Sequence, residues 1–231
     1  MNIIINGGSR GIGAALVKVF STDLKNKIIV TGRNKPALKK LASEAEHGNV
    51  IVYSIDLEVF DNENDSFLKF VQNGIKTVDI LINNAGALIK KDFMDINMDE
   101  ARKMMETNFW GIASVIRVLK PLMKKGSHIV NISSMGGFQG SSKFKGMSFY
   151  SASKAALSCL SECLAVEFSE SGIYVNCLAL GSVQTKMFAK AFPGHKASVS
   201  ADEIARFIAD FAINGKKFFN GKILPVSLST P

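Results

Sequence analysis

Short apolar runs, rich in β-branched residues, alternate along this chain with longer segments of mixed polarity. The runs predict seven strands, over Asn2–Asn6, Lys27–Thr31, Val50–Ile55, Val78–Ile82, Ser127–Ile132, Tyr174–Ala179 and Gly221–Val226. Three consecutive isoleucines fill the first run, which is typical of a strand buried on both faces of a parallel sheet. Pro225 suits an edge strand, because proline cannot donate a hydrogen bond to a neighbouring strand.

The segments between the strands favour helices. They are predicted over residues 14–20, 36–46, 62–73, 99–125 and 200–213, and over a segment that starts near Tyr150 and ends at Phe168. Strands and helices that alternate in this order predict an α/β fold, with a doubly wound parallel sheet of about seven strands and helices on both faces.

Length and composition predict one globular domain over residues 1–231, since 47% of the residues are hydrophobic and 21% are charged. No apolar run has the roughly 18 residues that a membrane span needs, and the chain opens on a strand without a signal sequence. We therefore expect a soluble cytoplasmic protein with no membrane partner.

The net charge of +8 is spread over scattered lysine pairs, for example Lys39 with Lys40 and Lys90 with Lys91. Such pairs favour a solvated surface, so we expect no nucleic-acid partner. Cys159, Cys163 and Cys177 lie among apolar residues with no paired CxxC, and the sequence predicts buried thiols and no metal site. His128 is expected at a strand edge or on the surface.

A glycine cluster follows the first strand directly and leads into a helix. It reads Gly7-Gly8-Ser9-Arg10-Gly11-Ile12-Gly13. Glycines at a strand-to-helix turn let main-chain N–H groups approach a pyrophosphate, so the turn favours dinucleotide binding. The alternative is a tight turn that binds nothing.

The residue after the second strand decides which dinucleotide is preferred. An acid there accepts from the ribose 2′-hydroxyl, whereas an arginine favours a 2′-phosphate. The chain has Gly32 and Arg33 at this place, and Arg10 is a second cation that could reach the same phosphate. Two arginines without a carboxylate favour NADP over NAD.

Polar and small residues end several later strands. Asp56-Leu57 follows the third, and its aspartate could bind an adenine amine or cap the next helix. Asn83-Asn84-Ala85-Gly86 ends the fourth strand, where small residues permit close approach and amides can cross-link strand ends. Asn108 lies inside a predicted helix, which indicates a local task such as binding water or bending the helix.

Tyr150 and Lys154 are four residues apart and share one face of a predicted helix. A nearby ammonium favours the phenolate, so we expect Lys154 to lower the pKa of Tyr150 into a range useful for proton transfer. The alternative is a pair of polar residues on a solvated helix face.

Taken together, these motifs resemble the short-chain dehydrogenase/reductase family over nearly the whole chain. The resemblance rests on the order and spacing of Gly7, Gly11, Ile12, Gly13, Asp56, Leu57, Asn83, Asn84, Ala85, Gly86, Asn108, Ser134, Tyr150, Lys154, Gly181 and Thr185. It implies a Rossmann-type oxidoreductase that transfers a hydride between NADP(H) and a small carbonyl or alcohol substrate.

The resemblance also assigns roles to residues. Tyr150 would exchange the proton, Lys154 would lower its pKa and bind the nicotinamide ribose, Ser134 would bond the substrate oxygen, and Asn108 would hold a water. The implied cofactor contacts are Gly7, Ser9, Arg10, Gly11, Ile12, Gly13, Arg33, Asp56, Leu57, Asn83, Ala85, Gly86, Tyr150, Lys154, Gly181, Val183 and Thr185.

The chain departs from the family at three places. Asn6 replaces the usual threonine, Leu180 replaces the proline before Gly181, and the tail lacks the Asp-Gly-Gly ending.

Residues 186–200 could form a lid over the substrate. In similar proteins the helices before and after the fifth strand pair into dimers or tetramers. The apolar residues that could serve here are Trp110, Ile112, Val115 and Leu119 on the first helix and Leu157, Leu160 and Leu164 on the second; the alternative is that they face the sheet.

Two other functions stay open on the sequence. A reductase of acyl groups on an acidic carrier protein would suit the basic surface. A non-catalytic regulator that senses the dinucleotide ratio would need the fold but not Ser134, Tyr150 and Lys154 together.

Overall fold

A computed structural model of the chain describes residues 1–228, and only the main chain of Asn62 and Glu63. The last three residues of the predicted domain lie outside this part. The strands are β1 (Asn2–Asn6), β2 (Lys27–Gly32), β3 (Val50–Ser54), β4 (Val78–Asn83), β5 (Met123–Ser134), β6 (Tyr174–Leu180), β7 (Val183–Gln184), β8 (Val199–Ser200) and β9 (Ile223–Val226). The α-helices are α1 (Gly11–Ser21), α2 (Lys35–Ser43), α3 (Asn64–Gly74), α4 (Met98–Met105), α5 (Gly111–Leu119), α6 (Ser148–Glu167), α7 (Lys186–Ala191) and α8 (Ala201–Asn214).

Seven parallel strands form one sheet in the order β3-β2-β1-β4-β5-β6-β9, and β7 pairs with β8 separately. The predicted α/β fold is therefore confirmed, and Pro225 lies in an edge strand as expected. The chain runs outward from β1 to β3 and then returns to place β4 on the other side of β1. This reversal leaves a crevice at the carboxyl ends of β1 and β4, where open α/β sheets bind ligands.

Both faces of the sheet are buried, as the isoleucine run in β1 predicts. Ile3 and Ile5 point into one apolar layer beneath α1, α2 and α8, and Ile4 points into the opposite layer beneath α3, α5 and α6. The two layers fix β1 between helices on either side, so its carboxyl end is held in place.

The single long helix predicted over residues 99–125 is wrong. The chain forms α4, then a π-turn over Glu106–Trp110, then α5, which ends at Leu119. Pro121 lies in a short 3₁₀ turn over Lys120–Leu122, and β5 begins at Met123. Proline has no N–H to continue the helical hydrogen bonds, which explains why the helix stops there.

Two expectations about burial are also wrong. Cys159 and Cys163 are exposed on α6, and only Cys177 is buried. His128 is fully buried in β5 instead of lying at an edge. Its ring nitrogens meet the Ala212 main-chain oxygen at 2.9 Å and the Asn176 amide at 3.0 Å, which makes burial of the neutral ring acceptable.

Most of the apolar residues proposed for helix pairing lie in the core of the chain itself. Ile112, Val115, Leu119 and Leu157 are fully buried beneath the sheet, so they supply no surface. Trp110 remains 55% exposed. The dimer or tetramer thus stays a prediction.

Among residues 1–228, no helix is long and apolar enough to cross a bilayer.

Candidate active site

A buried chain of side-chain hydrogen bonds ties the strands together just below their carboxyl ends. Thr31 donates to Asn6 at 2.7 Å, Asn6 to Asn83 at 2.6 Å, Asn83 to Asn131 at 2.7 Å, and Asn131 to Ser161 on α6 at 2.9 Å. Each link satisfies one buried polar group with another. Asn6 therefore does bond its neighbours where the family has threonine, and this amide chain holds β2, β1, β4, β5 and α6 in register below the cleft.

The glycine turn packs too tightly for side chains. A Cβ at Gly7, where φ is +80°, would lie 2.5 Å from the Ala85 Cα, and one at Gly13 would lie 2.1 Å from the Gly7 oxygen. Asn84 donates to that same Gly7 oxygen at 2.9 Å. The turn is thus a main-chain cradle at the start of α1, braced by the segment after β4.

The far end of the cleft carries the residues predicted for the adenosine. Arg33 lies 3.8 Å from the Asp56 carboxylate, which also accepts from the Glu58 N–H at 3.1 Å. A Cβ at Gly32 would be 3.6 Å from the Ser9 hydroxyl, so no side chain separates Ser9 from the end of β2. Arg33 and Arg10 both line the cleft beside this opening.

At the other end, Tyr150 and Ser134 meet. The Ser134 hydroxyl hydrogen-bonds the phenol and also accepts from the Gly136 N–H at 3.1 Å. Ser133 instead donates to the Lys154 main-chain oxygen at 2.8 Å and is buried. The structure therefore brings Ser134, and not its neighbour, to the tyrosine.

The electrostatics of this pair differ from the expectation. Burial raises the pKa of the Tyr150 phenol, and the hydrogen bond from Ser134 acts against that rise. Burial also lowers the pKa of Lys154 to about 8, while Cys177 raises it slightly. The predicted lowering of the Tyr150 pKa by Lys154 is wrong for this arrangement, because the ammonium donates to the Ile132 oxygen at 2.9 Å and is itself desolvated.

Asn108 lies in the π-turn and acts on the main chain of Ala87. It accepts from the Ala87 N–H at 2.7 Å and donates to the Ala87 oxygen and the Ser153 hydroxyl, each at 2.9 Å. A Cβ at Gly86 would lie 3.4 Å from the Lys154 ammonium. Asn108 thus fixes the loop after β4 close against Lys154, a contact between distant segments that the expected local task did not include.

One cleft of about 1430 Å³ connects the two ends. The predicted residues that line it are Gly7, Ser9, Arg10, Gly11, Ile12, Arg33, Asp56, Leu57, Ala85, Gly86, Ser134, Tyr150, Lys154, Gly181, Val183 and Thr185. Gly13, Asn83 and Asn108 lie behind the wall and support it. Thr185 caps α7 by accepting from the Phe188 N–H at 3.2 Å.

Sequence reasoning missed part of the wall near Tyr150. Lys90, Met147 and His195 line the cleft together with the aromatic residues Phe144, Phe188 and Phe192. These positions lie in the loop after β4, in the segment before α6, on α7 and just after it, and they have no spacing that would signal a site. From sequence, the aromatic residues Phe144, Phe188 and Phe192 indicate an apolar substrate, with ordinary packing as the alternative, whereas nothing indicates Lys90, Met147 or His195.

Comparison with known proteins agrees with the geometry. Residues 1–196 match the family model described as short chain dehydrogenase. An uncharacterized oxidoreductase from Staphylococcus epidermidis is 30% identical over 204 residues, which cover 87% of this chain and 86% of that one. Another, from Staphylococcus aureus strain MW2, is 28% identical over 207 residues, or 89% and 87% of the two chains.

Solved structures show the same architecture. A dehydrogenase/reductase from Sinorhizobium meliloti is 26% identical with a TM-score of 0.86, over 98% of this chain and 93% of that one. A short chain dehydrogenase from Burkholderia cenocepacia, solved in complex with NADP, is 24% identical with a TM-score of 0.87, over 97% and 95%. With its fold, its cleft and the family match together, the chain belongs to the short-chain dehydrogenase family of oxidoreductases.

Proposed function

We propose that this protein reduces a carbonyl group with NADPH, and that Tyr150 is the proton donor. The observation that carries the proposal is the buried phenol that bonds Ser134 beside Lys154, in the cleft at the carboxyl edge of the sheet. A serine hydroxyl, a neutral phenol and an ammonium at one place suit a carbonyl oxygen that gains charge and then a proton.

The residues present fit a dinucleotide. The main-chain N–H groups of the Gly7–Gly13 cradle at the start of α1 suit a pyrophosphate, and a Cβ at Gly7 or Gly13 would clash with the main chain of this turn. Arg10 and Arg33 beside the opening left by Gly32 suit a 2′-phosphate, which supports NADP over NAD. The similarly folded Burkholderia protein is in complex with NADP. When bound, the nicotinamide supplies the hydride.

The protein's own side chains would bind the substrate and cofactor and transfer the proton. Ser134 donates to the substrate oxygen as charge develops, and Tyr150 transfers its phenolic proton to that oxygen. Lys154 binds the nicotinamide ribose. Asn108 holds the loop after β4, and a water near it would return a proton to the tyrosine. Residues 186–200 close over the substrate as a lid.

The raised pKa of Tyr150 favours reduction as the working direction. A phenol that burial keeps protonated at neutral pH is a proton donor, whereas oxidation of an alcohol needs the phenolate as a base. A protonated phenol beside Ser134 thus supports the proposed role of Tyr150 as the proton donor.

The test is a panel of ketones and aldehydes assayed for consumption of NADPH and, separately, of NADH. We expect carbonyl-dependent oxidation of NADPH, with kcat/KM for NADPH above that for NADH. Binding of NADPH without turnover of any carbonyl compound, or equal use of both dinucleotides, would contradict the proposal.

A further inference from the structure

The cleft wall beyond Tyr150 is aromatic. Phe192 packs against Phe188 with ring centroids 5.3 Å apart and against Phe144 at 6.1 Å. Phe192 also contacts the apolar cluster that contains Met147 and Tyr150. A substrate whose carbonyl reaches Tyr150 therefore lays its neighbouring atoms on apolar and aromatic surface.

A cation lies over this aromatic wall. The Lys90 ammonium is 4.2 Å from the centroid of the Phe192 ring. Its stem passes Gly146, where φ is +79° and where a Cβ would lie 3.2 Å from the Lys90 Cγ. The glycine leaves the room that the stem needs, and the cation–π contact holds the charge at the cleft.

Lys90 differs from the lysines beside it. Lys91 is paired with Glu100 at 2.5 Å, and Lys145 with Asp92 at 2.6 Å. Among the residues that the structure describes, Lys90 makes no ion pair.

The charged side chains along the cleft are mostly positive. Its described lining contains a single carboxylate, Asp56, which lies at the adenosine end and faces Arg33. The cations that line it are Arg10, Arg33, Lys90, Lys145, Lys154 and Lys186. No acidic side chain of the lining therefore lies at the aromatic end to neutralise Lys90, and the field there favours an anionic ligand.

We propose that the substrate carries an anionic group, in the simplest case a carboxylate, at the end of an apolar or aromatic body, and that Lys90 binds it. This inference rests on the proposed carbonyl reduction at Tyr150 and names its substrate class. A charge-assisted hydrogen bond at a partly open site contributes about tenfold in kcat/KM.

The test compares aryl methyl ketones that end in a carboxylate, beginning with para-acetylbenzoate and continuing to longer chains, with the methyl ester of each. We expect the parent protein to prefer at least one acid to its ester by about tenfold in kcat/KM. Lys90→Met keeps the apolar stem but removes the charge, so it should lower kcat/KM for the acid about tenfold more than for the ester. Lys90→Arg should retain the preference for the acid.

The matched control is Lys69→Met, an exposed lysine on α3 that does not line the cleft, and it should leave both substrates unchanged. Equal use of acid and ester by the parent protein and by Lys90→Met would overturn the inference and leave carbonyl reduction intact.

Binding separates the two claims further. Calorimetry on the Tyr150→Phe protein measures the binding of the same acids and esters, without interference from turnover. Acid binding that depends on Lys90, together with a parent protein that reduces none of the ketones, would support the anion site and contradict the proposed reaction. Binding of the acids that is equal with and without Lys90 would overturn the site.

Discussion

At the scale of single residues, desolvation governs the proposed proton donor. The sequence places Tyr150 and Lys154 one helical turn apart, and that spacing alone suggests that the ammonium acts on the phenol. In the folded chain burial raises the pKa of Tyr150, and burial lowers the pKa of Lys154 to about 8. Spacing fixes proximity along a helix, but the balance between charge and desolvation depends on neighbours from β5 and the loop after β4.

Contacts from distant segments also decide the surroundings of Ser134, Cys159 and Cys163, which sequence neighbours alone do not determine. Ser134 could be favoured over Ser133 only through the family pattern, yet the structure separates them by the direction in which each side chain points from β5. The exposure of Cys159 and Cys163 depends on which face of α6 meets the sheet, and their apolar neighbours in sequence do not determine it.

Arg33 provides a prediction at this scale. Arg33→Met should weaken NADPH binding about tenfold and leave NADH binding unchanged, because only the 2′-phosphate would need the guanidinium. Fluorescence titration of both dinucleotides measures this. Arg117→Met, an exposed arginine on α5, is the control. Equal losses for the two dinucleotides would remove Arg33 from the proposed phosphate site.

At the scale of elements, the buried amide chain is what joins the cleft to the sheet. Its strand members Thr31, Asn6, Asn83 and Asn131 lie at or near the carboxyl ends of parallel strands. The sequence predicts their proximity, since the carboxyl ends of parallel strands share one edge of the sheet. The sequence does not predict that the hydrogen bonds run without a break from Thr31 to Ser161. Such a chain requires the strand order β2-β1-β4-β5 and the register of every strand pair.

Replacing the centre of this chain tests its contribution. Asn83→Leu would leave the Asn6 amide and the Asn131 oxygen buried without partners, and we expect it to lower the free energy of unfolding by about 3 to 5 kcal/mol. Urea denaturation measures the change. Asn73→Leu, an exposed position on α3, should alter it by less than about 0.5 kcal/mol. Similar small changes for both variants would show that the amides are not coupled.

The π-turn shows where helix rules help and where they fail. A polar Asn108 inside an apolar helix indicates an irregularity. Pro121 indicates a helix end, which the prediction of one uninterrupted helix to residue 125 did not take into account. The contact between Asn108 and Ala87 joins segments 21 residues apart, so no local pattern contains it.

At the scale of the whole molecule, the alternation of apolar strands and amphipathic helices was sufficient to predict the sheet. Parallel strands need helical crossovers of one hand, which leaves few arrangements for such a chain. The interior also contains a titratable group that the pattern did not indicate. His128 joins β5 to β6 and to α8, and burial lowers its pKa to about 4.

That histidine makes stability depend on pH. Above its ordinary pKa of 6.5 the ring is neutral in both states and its contribution is fully present. As the pH falls toward about 4, the unfolded chain binds a proton that the folded chain does not, so stability is lost. We expect a loss of about 2 kcal/mol between pH 7 and pH 5 from this group.

The variant His128→Gln keeps a hydrogen-bonding side chain but does not titrate. Its urea denaturation should show a smaller loss between these two pH values, although it is less stable at pH 7. Since all other titrating groups are shared, equal losses in the two proteins would contradict the assigned pKa.

The most direct test of the whole account is the turnover of Tyr150→Phe with NADPH and a carbonyl substrate. Removal of the phenolic proton should lower kcat by about 10²- to 10⁴-fold while NADPH binding stays within about twofold of the parent protein. Tyr174→Phe, at a tyrosine outside the cleft, should keep full activity. If Tyr150→Phe retains the parent's turnover, this tyrosine is not the proton donor and the proposed mechanism is wrong.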